Sequence, residues 1–346
     1  MTMKKQIRIF AAAAMAAMMC ALSACGTSSE TTEPTGSDNT AVENETAENG
    51  DTVYTVGIIQ QMEHAALDEA TRGFQDTLKE KLGDQVVFDY QNAQGEQTNC
   101  ATISTKFVSD DVDLIMANAT TALQSAAAAT GDIPIVGTSV TDYVTAGVVQ
   151  SNDTPGYNVT GVSDLAPVDQ QIALLQKLVP DAQKVAIVYC SAEPNSLFQS
   201  ELAQAELDKA GIAWEEFTAA DSNEIQAVIT NAITDCNVVY IPTDNTMANN
   251  MEIIKNVTVP AKIPVICGEE NMCGVGGLAT LSISYYELGC KAGEMAYEIL
   301  VNGADPATTP IAYVSDDITP KYNAEIAAEL GMTMPEDMVA IETQAE

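Results

Sequence analysis

Six short polar segments, each following an apolar run, hold the residues of this chain that could do chemistry. Their polar side chains are amides, hydroxyls, carboxylates, one thiol and one imidazole, and none is Lys or Arg. Such groups offer directional hydrogen bonds and negative charge rather than a cationic clamp, so we do not expect a phosphorylated ligand. The segments are Gln60 to His64, Asn118 to Thr121, Thr138 to Asp142, Cys190 to Ser196, Thr243 to Thr246 and Gly268 to Asn271.

The same segments could hold the two charged ends of an amino acid. The stretch from Asn118 to Thr121 opens a predicted helix, where unpaired N–H groups and hydroxyls suit a carboxylate. Asp142 and Asp244 could accept an ammonium group, and further candidates are Glu63, Glu269 and Glu270. A ligand with a carboxylate on one side and an ammonium group on the other is an amino acid.

The predicted ligand-binding set collects residues from these strand ends. Thr120, Ser196 and Asp244 could also be ordinary helix N-caps, because caps prefer these residue types. Tyr285 could be a core residue, and His64 could be a structural, hydrogen-bonded one. The joint placement of the set at strand ends favours ligand binding. Its members are Gln60, Glu63, His64, Ala119, Thr120, Thr121, Thr141, Asp142, Asn195, Ser196, Thr243, Asp244, Asn245, Glu269 and Tyr285.

The sequence lacks the motifs of the common enzyme classes. It has no GxSxG, no GxxxxGKS or GxxxxGKT, and no GxGxxG after the first predicted strand. It has one histidine, His64, and the spacing of Cys267 and Cys273 matches no common zinc site. We therefore predict no enzymatic activity, no cofactor and no metal. A hydrolase that uses a carboxylate pair such as Glu63 and Asp142 remains an alternative.

Alternating strand and helix patterns supply the elements that must position these residues. Val56 to Ile59 is a continuous apolar run, and a helical pattern follows from Ala66 to Leu82. Continuous rather than alternating apolar strands indicate a parallel sheet with helices on both faces. Further strands are predicted at Ile133 to Gly137 and Ile263 to Cys267, and a further helix at Met247 to Lys255.

The pattern then repeats at a shift of 129 to 130 residues. Val56-Gly57-Ile58-Ile59 corresponds to Val185-Ala186-Ile187-Val188, and Ile133 to Gly137 corresponds to Ile263 to Cys267. Duplication and chance similarity between two βαβ domains both explain this repeat. Either way we expect an α/β protein with two similar, doubly wound parallel-sheet lobes. Ligands bind outside the carboxyl ends of such strands, so the cleft between the lobes is the predicted site.

The N-terminus has the layout of an export signal. Lys4, Lys5 and Arg8 accompany an apolar run, and Leu22-Ser23-Ala24-Cys25 resembles the lipobox of bacterial lipoproteins. We predict a signal peptide at 1–24, a lipid on Cys25 and a flexible linker over 25–51. The protein would then be extracytoplasmic and lipid-anchored to the bacterial cell membrane.

The acidic composition of the chain argues against one class of partner, the nucleic acids. The chain has 14 Lys and Arg against 49 Asp and Glu, a formal net charge of −35. Nucleic acid binding needs clustered basic residues, so we expect no nucleic acid partner. The six cysteines beyond Cys25 form no CxxC pair, and we expect them to be mostly reduced and buried.

Five segments carry a resemblance to one known family. They are Gly57 to His64, Asp89 to Gly95, Asn158 to Asp164, Pro242 to Asn245 and Tyr285 to Gly289. These segments resemble the ABC-transporter substrate-binding lipoproteins of the tryptophan/tyrosine-binding type, and the resemblance extends over roughly residues 53–332. One position departs from the family pattern, because Ser284 stands where an Asp usually precedes the paired tyrosines.

That resemblance implies the periplasmic-binding-protein type I fold, with two lobes joined by a three-crossing hinge. The resemblance implies that the ligand is an aromatic amino acid, which a monomeric protein passes to an ABC permease in the membrane. Receptors for a sugar, a nucleoside or a signalling molecule on the same fold, and an adhesin or scaffold, stay open. The expected lobes are 52–164 with 285–310 for lobe I, and 165–284 with 311–346 for lobe II.

Overall fold

The computed structural model describes residues 52–314 and 318–341. The predicted signal peptide, Cys25 and the predicted linker lie outside these residues. Within the described ranges, no helix combines the length and apolar character that crossing a membrane requires.

Lobe I is built on a six-stranded parallel sheet with helices on both faces. Its spatial order, with strands numbered along the chain, is β11-β5-β4-β3-β1-β2. The strands are β1 (Tyr54–Gln60), β2 (Val86–Asn92), β3 (Leu114–Asn118), β4 (Ile135–Val140), β5 (Val159–Ser163) and β11 (Ala312–Tyr313). The helices are α1 (Ala65–Leu82), α2 (Gln97–Ser109), α3 (Thr120–Ala129) and α10 (Tyr285–Asn302), and a 3-10 turn covers Gly83–Gln85.

Lobe II carries a seven-stranded sheet in the order β13-β12-β10-β9-β8-β6-β7, parallel except where β10 meets β12. The strands are β6 (Lys184–Cys190), β7 (Ala213–Ala219), β8 (Val238–Ile241), β9 (Val265–Cys267), β10 (Ala279–Thr280), β12 (Lys321–Tyr322) and β13 (Val339–Ala340). The helices are α4 (Val168–Leu178), α5 (Pro194–Ala210), α6 (Ile225–Asp235), α7 (Asn245–Ala248), α8 (Met251–Thr258), α9 (Glu270–Val275) and α11 (Ala324–Leu330).

Each sheet separates two apolar cores, because successive strand residues point to opposite faces. In lobe I, Val56 and Ile58 pack with α1 and α10, whereas Ile59 packs with α2 and α3. In lobe II, Val185 and Ala186 divide in the same way between two cores. The two doubly wound parallel-sheet lobes predicted from the sequence are therefore confirmed.

Glycines allow α10 to lie directly against α1. A Cβ atom added to Gly289 would lie 2.0 Å from the backbone oxygen of Ala70, and one at Gly73 would lie 2.1 Å from that of Tyr286. No side chain fits at either position. This close approach fixes α10 on lobe I, immediately after the chain returns from lobe II.

The chain crosses between the lobes after β5, between β10 and α10, and after β11. The sequence assigns residues from 311 onwards to lobe II. In the structure, β11 instead pairs with β5, with Ala312 opposite Val162. The apolar run near Ile311 indicates a strand but not which sheet it joins, so the last crossing follows β11.

Two elements differ locally from the sequence pattern. The single helix expected at Met247 to Lys255 is divided into α7 and α8, with Asn249 and Asn250 between them. The strand expected at Ile133 to Gly137 runs instead over Ile135–Val140, because it pairs with β3 and β5 on either side.

Candidate functional site

The carboxyl ends of the two sheets face each other, and polar contacts join the lobes directly. His64 Nε2, after β1, lies 3.1 Å from Asn245 Oδ1 at the start of α7. Gln199 Nε2 on α5 donates to Thr141 Oγ1, after β4, at 3.2 Å. Lobe I and lobe II therefore meet along the strand-end segments that the sequence singles out.

The lobe I half of the cleft contains strained backbone and unpaired oxygens. Asn118, the last residue of β3, lies opposite Thr138 in β4. The residues that follow them, Ala119 and Ser139, have φ values of 90° and 54°, which non-glycine residues rarely adopt. Strain of this kind is concentrated at functional sites. Among the described residues, buried oxygens without a hydrogen-bond partner include Asn118 Oδ1, Thr120 Oγ1, Thr138 Oγ1 and Ser139 Oγ.

The start of α3 adds hydrogen-bond donors to these oxygens. Its N-cap residue is Ala119, whose side chain makes no cap. The first N–H groups of a helix have no acceptor within the helix. Combined with the hydroxyls of Thr120 and Ser139, they form a neutral donor set that suits a carboxylate.

A buried carboxylate, Glu193, organises the lobe II half. Its Oε2 accepts the backbone N–H and the side-chain amide of Asn245 at 3.0 and 2.8 Å, and the amide of Asn195 at 3.2 Å. Its Oε1 accepts the backbone N–H and hydroxyl of Thr246 at 2.8 and 2.7 Å. Glu193 is 3% exposed.

Asp244 lies beside this network and faces its own lobe. Its Oδ1 accepts the N–H of Met247 at the start of α7, and its Oδ2 accepts the N–H of Cys190, both at 2.7 Å. Burial and the neighbouring charge of Glu193 raise the pKa of Asp244 from 3.8 to about 8. Asp244 is therefore an N-cap, as one sequence interpretation allowed, and both its oxygens are occupied.

The hinge contributes a third polar group. Tyr285, the first residue of α10, donates its hydroxyl to Asp164 Oδ2 at 3.0 Å, and Thr141 donates to Asp164 Oδ1 at the same distance. Burial raises the pKa of Asp164 from 3.8 to about 6, although these hydrogen bonds oppose the shift. Burial also raises the pKa of Glu269, which caps α9, from 4.5 to about 7.

The cleft contains several buried carboxyl groups, and no Lys or Arg of the described part of the chain is buried beside them. The ion pairs there join partly or largely exposed side chains, such as Lys177 with Asp337 and Lys321 with Glu270. Burial lowers the pKa of His64 below 6.5, more than the hydrogen bond to Asn245 opposes it, so the imidazole is neutral at pH 7. A ligand ammonium group would supply the missing positive charge.

The remaining members of the predicted set differ in their depth and in their distance from the contact between the lobes. Gln60 accepts a hydrogen bond from Thr71 and donates to Asp68, inside lobe I. Asp142 is half-buried and accepts the N–H of Thr145. The structure places Ala119, Thr120, Thr141, Asn195, Ser196, Thr243 and Asn245 in buried positions near the contact between the lobes, and Thr121 is half-buried beside them.

A cavity of about 620 Å³ opens at the mouth of the cleft and is lined by both lobes. Met62, Glu63 and Asn92 contribute from lobe I, and Thr246 and Asn250 contribute from lobe II. No Lys or Arg lines it. A smaller gap lies among Thr120, Asp142, Asn195 and Phe198. In the described residues, no cluster of three or more His, Cys, Asp or Glu is arranged to hold a metal ion.

Sequence reasoning missed three buried residues of this site: Asp164, Glu193 and Gln199. Glu193 lies inside the segment from Cys190 to Ser196, but the residue types preferred at helix caps pointed to Asn195 and Ser196, which follow it. Gln199 follows Asn195 by one helical turn, so a search along the first two turns of α5 would have found it. Asp164 ends the segment that begins at Asn158.

Comparison with known proteins gives consistent relatives. A family model described as "ABC transporter substrate binding protein" matches residues 55–345. A tyrosine-binding protein of Clostridioides difficile (strain R20291) is 40% identical over 260 residues, which cover 73% of this chain and 75% of the relative.

Two solved structures are similar over most of their length. An ABC domain from Streptococcus pneumonia in complex with L-Trp is 35% identical, with a TM-score of 0.80, over 83% of this chain and 99% of that domain. The ligand-free, open structure of a substrate binding protein with adhesive properties from Clostridium difficile is 38% identical, over 84% of this chain and 100% of that protein. Its TM-score is lower, at 0.66.

Proposed function

Because this chain belongs to the family of ABC transporter substrate-binding proteins, we propose that it binds an aromatic amino acid, tyrosine or tryptophan, between its lobes. The relatives whose names or titles mention a ligand support this choice, since one is a tyrosine-binding protein and another is in complex with L-Trp. The type I fold is common to receptors for many solutes, so the fold alone does not select the ligand.

The observation that carries the proposal is the unequal chemistry of the two halves of the cleft. Lobe I offers neutral donors, namely the uncapped start of α3 and the unpaired hydroxyls of Thr120 and Ser139. The remainder of the cleft offers buried carboxylates without a cation among the described residues. A zwitterion matches both halves, with its carboxylate at α3 and its ammonium group towards lobe II.

Delivery and anchoring extend the proposal beyond the site. We propose that the protein is lipidated on Cys25, remains outside the cytoplasm and passes its ligand unchanged to an ABC permease. The N-terminal lipobox-like sequence and the family membership support this. No step of this function requires bond making, so an unchanged ligand separates it from a carboxylate-dependent hydrolase.

The test is ligand binding by the purified protein and by one matched pair of variants. Thermal shift assays with the 20 amino acids should single out tyrosine or tryptophan, since a ligand at 100 times its Kd adds about 2.7 kcal/mol. Thr120→Val removes the hydroxyl but keeps the shape, and should weaken binding about tenfold or more by calorimetry. The control is Thr102→Val, on an exposed face of lobe I.

Opposite results would be unambiguous. Stabilisation by a sugar or nucleoside, without a response to any amino acid, would overturn the proposal in favour of another receptor on this fold. If mass spectrometry showed that the released amino acid had been chemically changed, the protein would be an enzyme and the proposal would be wrong.

A further inference from the structure

Glu193 stands out as a buried carboxylate that no part of the proposed binding mode uses directly. It lies just before α5, and its contacts go to Asn195, Asn245 and Thr246 within lobe II. A carboxylate can only accept hydrogen bonds, so every group around it must donate. That requirement dictates which way the neighbouring amides are turned.

The orientation of Asn245 follows from this rule. Its Nδ2 donates to Glu193 Oε2 at 2.8 Å, so its Oδ1 points the other way, to His64 Nε2 in lobe I at 3.1 Å. Because that amide oxygen is an acceptor, His64 must carry its proton on Nε2. Glu193 thereby fixes both the direction of the amide and the tautomer of the facing imidazole.

Asn195 is oriented in the same sense. Its Nδ2 lies 3.2 Å from Glu193 Oε2 and 3.2 Å from the backbone oxygen of Thr243. The nitrogen is therefore committed to lobe II, and the amide oxygen is directed away from these acceptors. Asn195 also lines the small gap that Thr120 lines from lobe I.

We propose that Glu193 is a positioning residue that makes lobe II an acceptor surface, by holding the Asn195 and Asn245 amides with their oxygens available to the cleft and to lobe I. This inference rests on the proposed function and refines it, because an acceptor surface selects ligands that bring an ammonium group. Glu193 itself contacts neither the ligand nor lobe I.

The decisive variant is Glu193→Gln, which keeps the shape but places an NH2 group among donors, so the amides can turn over. The readout is selectivity: Kd is measured by calorimetry for L-tyrosine and for 3-(4-hydroxyphenyl)propionate, which lacks only the ammonium group. We expect L-tyrosine to bind the variant about tenfold to a hundredfold more weakly, whereas the affinity for the deaminated analogue changes less than about threefold.

Matched controls separate positioning from general stability. Glu201→Gln makes the same change at an exposed position of α5 and should leave both affinities unchanged. If Glu193→Gln is not folded at the assay temperature, Asn195→Ala removes the oriented amide that lines the gap between the lobes and should give the same selective loss. Equal weakening of both ligands would identify a merely structural role and overturn the inference.

Failure of the inference and failure of the proposed function give different results. Unchanged L-tyrosine binding by Glu193→Gln, with normal binding by the wild type, refutes the positioning role alone. A wild type that binds no amino acid, and binds instead a solute without an ammonium group, refutes both the acceptor surface and the proposed ligand.

Discussion

Asp164 is a buried carboxyl group whose ionisation lowers the stability of the folded protein. It is buried between Thr141 and Tyr285, which both donate hydrogen bonds, and no described Lys or Arg neutralises it. Its pKa rises to about 6 because burial penalises the charged form. The protonated carboxyl is therefore the form that the fold favours.

The sign of the resulting pH dependence follows directly. A carboxyl whose pKa is higher in the folded than in the unfolded state stabilises the fold fully below the unfolded value near 3.8, and this contribution is lost as pH rises through about 6. We predict that the free energy of unfolding falls between pH 5 and pH 8, and that Asp164→Asn reduces this fall by roughly 1.4 kcal/mol, the equivalent of one pKa unit. Urea unfolding at the two pH values measures it.

One control variant and two contrary outcomes test this prediction. Asp84→Asn, at an exposed site, changes the net charge equally and should leave the fall unaltered. A wild type whose stability rises from pH 5 to pH 8, or an Asp164→Asn variant with the wild-type slope, would contradict the assigned protonation.

Residue types at strand ends could be predicted from the sequence, but their directions could not. The segments containing Thr120, Asn195 and Asn245 follow apolar runs, which is why they were found. Asp244 follows such a run as well, yet its oxygens cap α7 and bind the Cys190 N–H. Only the three-dimensional structure distinguishes an acceptor that is hydrogen-bonded within the protein from one that is available to a ligand.

At the scale of elements, the packing of α10 on α1 carries most of the connection between hinge and lobe I. Tyr285 begins α10, so any shift of this helix moves the hydroxyl that donates to Asp164. The closest approach is at Gly289, where a Cβ atom would lie 2.0 Å from a backbone oxygen of α1. Backbone cannot rotate away as a flexible side chain can.

We therefore predict that Gly289→Ala destabilises the protein by about 1 to 3 kcal/mol, the usual cost of overpacking, despite the better helix propensity of Ala. Thermal or urea unfolding measures the loss. Gly131→Ala is the control, since no atom lies within 4 Å of its added Cβ. Equal stability of the two variants would show that α1 and α10 can separate without cost.

The element order was the part of the fold that sequence patterns predicted best. The helix predicted from Ala66 to Leu82 agrees with α1 within one residue, because the apolar periodicity marks the face that this helix buries on the sheet. Short elements were not predictable in the same way. The break between α7 and α8 falls at Asn249 and Asn250, where the side-chain amide of Asn250 donates to the backbone oxygen of Thr246. The placement of β11 depends on which sheet edge is free.

At the scale of the whole molecule, the structure has its lobes together, with buried carboxylates and interlobe hydrogen bonds at their contact. Its TM-score is higher to the domain in complex with L-Trp than to the ligand-free, open protein, at similar identity. The relative placement of two lobes cannot be predicted from the repeat in the sequence, because hinge residues permit more than one arrangement.

Charge then predicts which arrangement the free protein adopts. In this arrangement Asp164 and Glu269 are buried without a cation among the described side chains, which costs free energy at neutral pH. The buried oxygens of lobe I that lack a hydrogen-bond partner add a further cost. A zwitterion offsets both costs, so it stabilises the closed form over the open one. We expect the ligand-free protein to be more open in solution than this structure, and saturating tyrosine or tryptophan to lower its radius of gyration.

Small-angle X-ray scattering with and without ligand measures that change. The Thr120→Val variant, at a ligand concentration that saturates only the wild type, should keep the larger radius and so serves as the matched control. Acidic pH should shift the ligand-free protein towards the closed form, because protonated Asp164 and Glu269 no longer oppose burial. A radius that is insensitive to ligand and to pH would mean that the lobes form one rigid body, and that the cleft carboxylates do not govern closure.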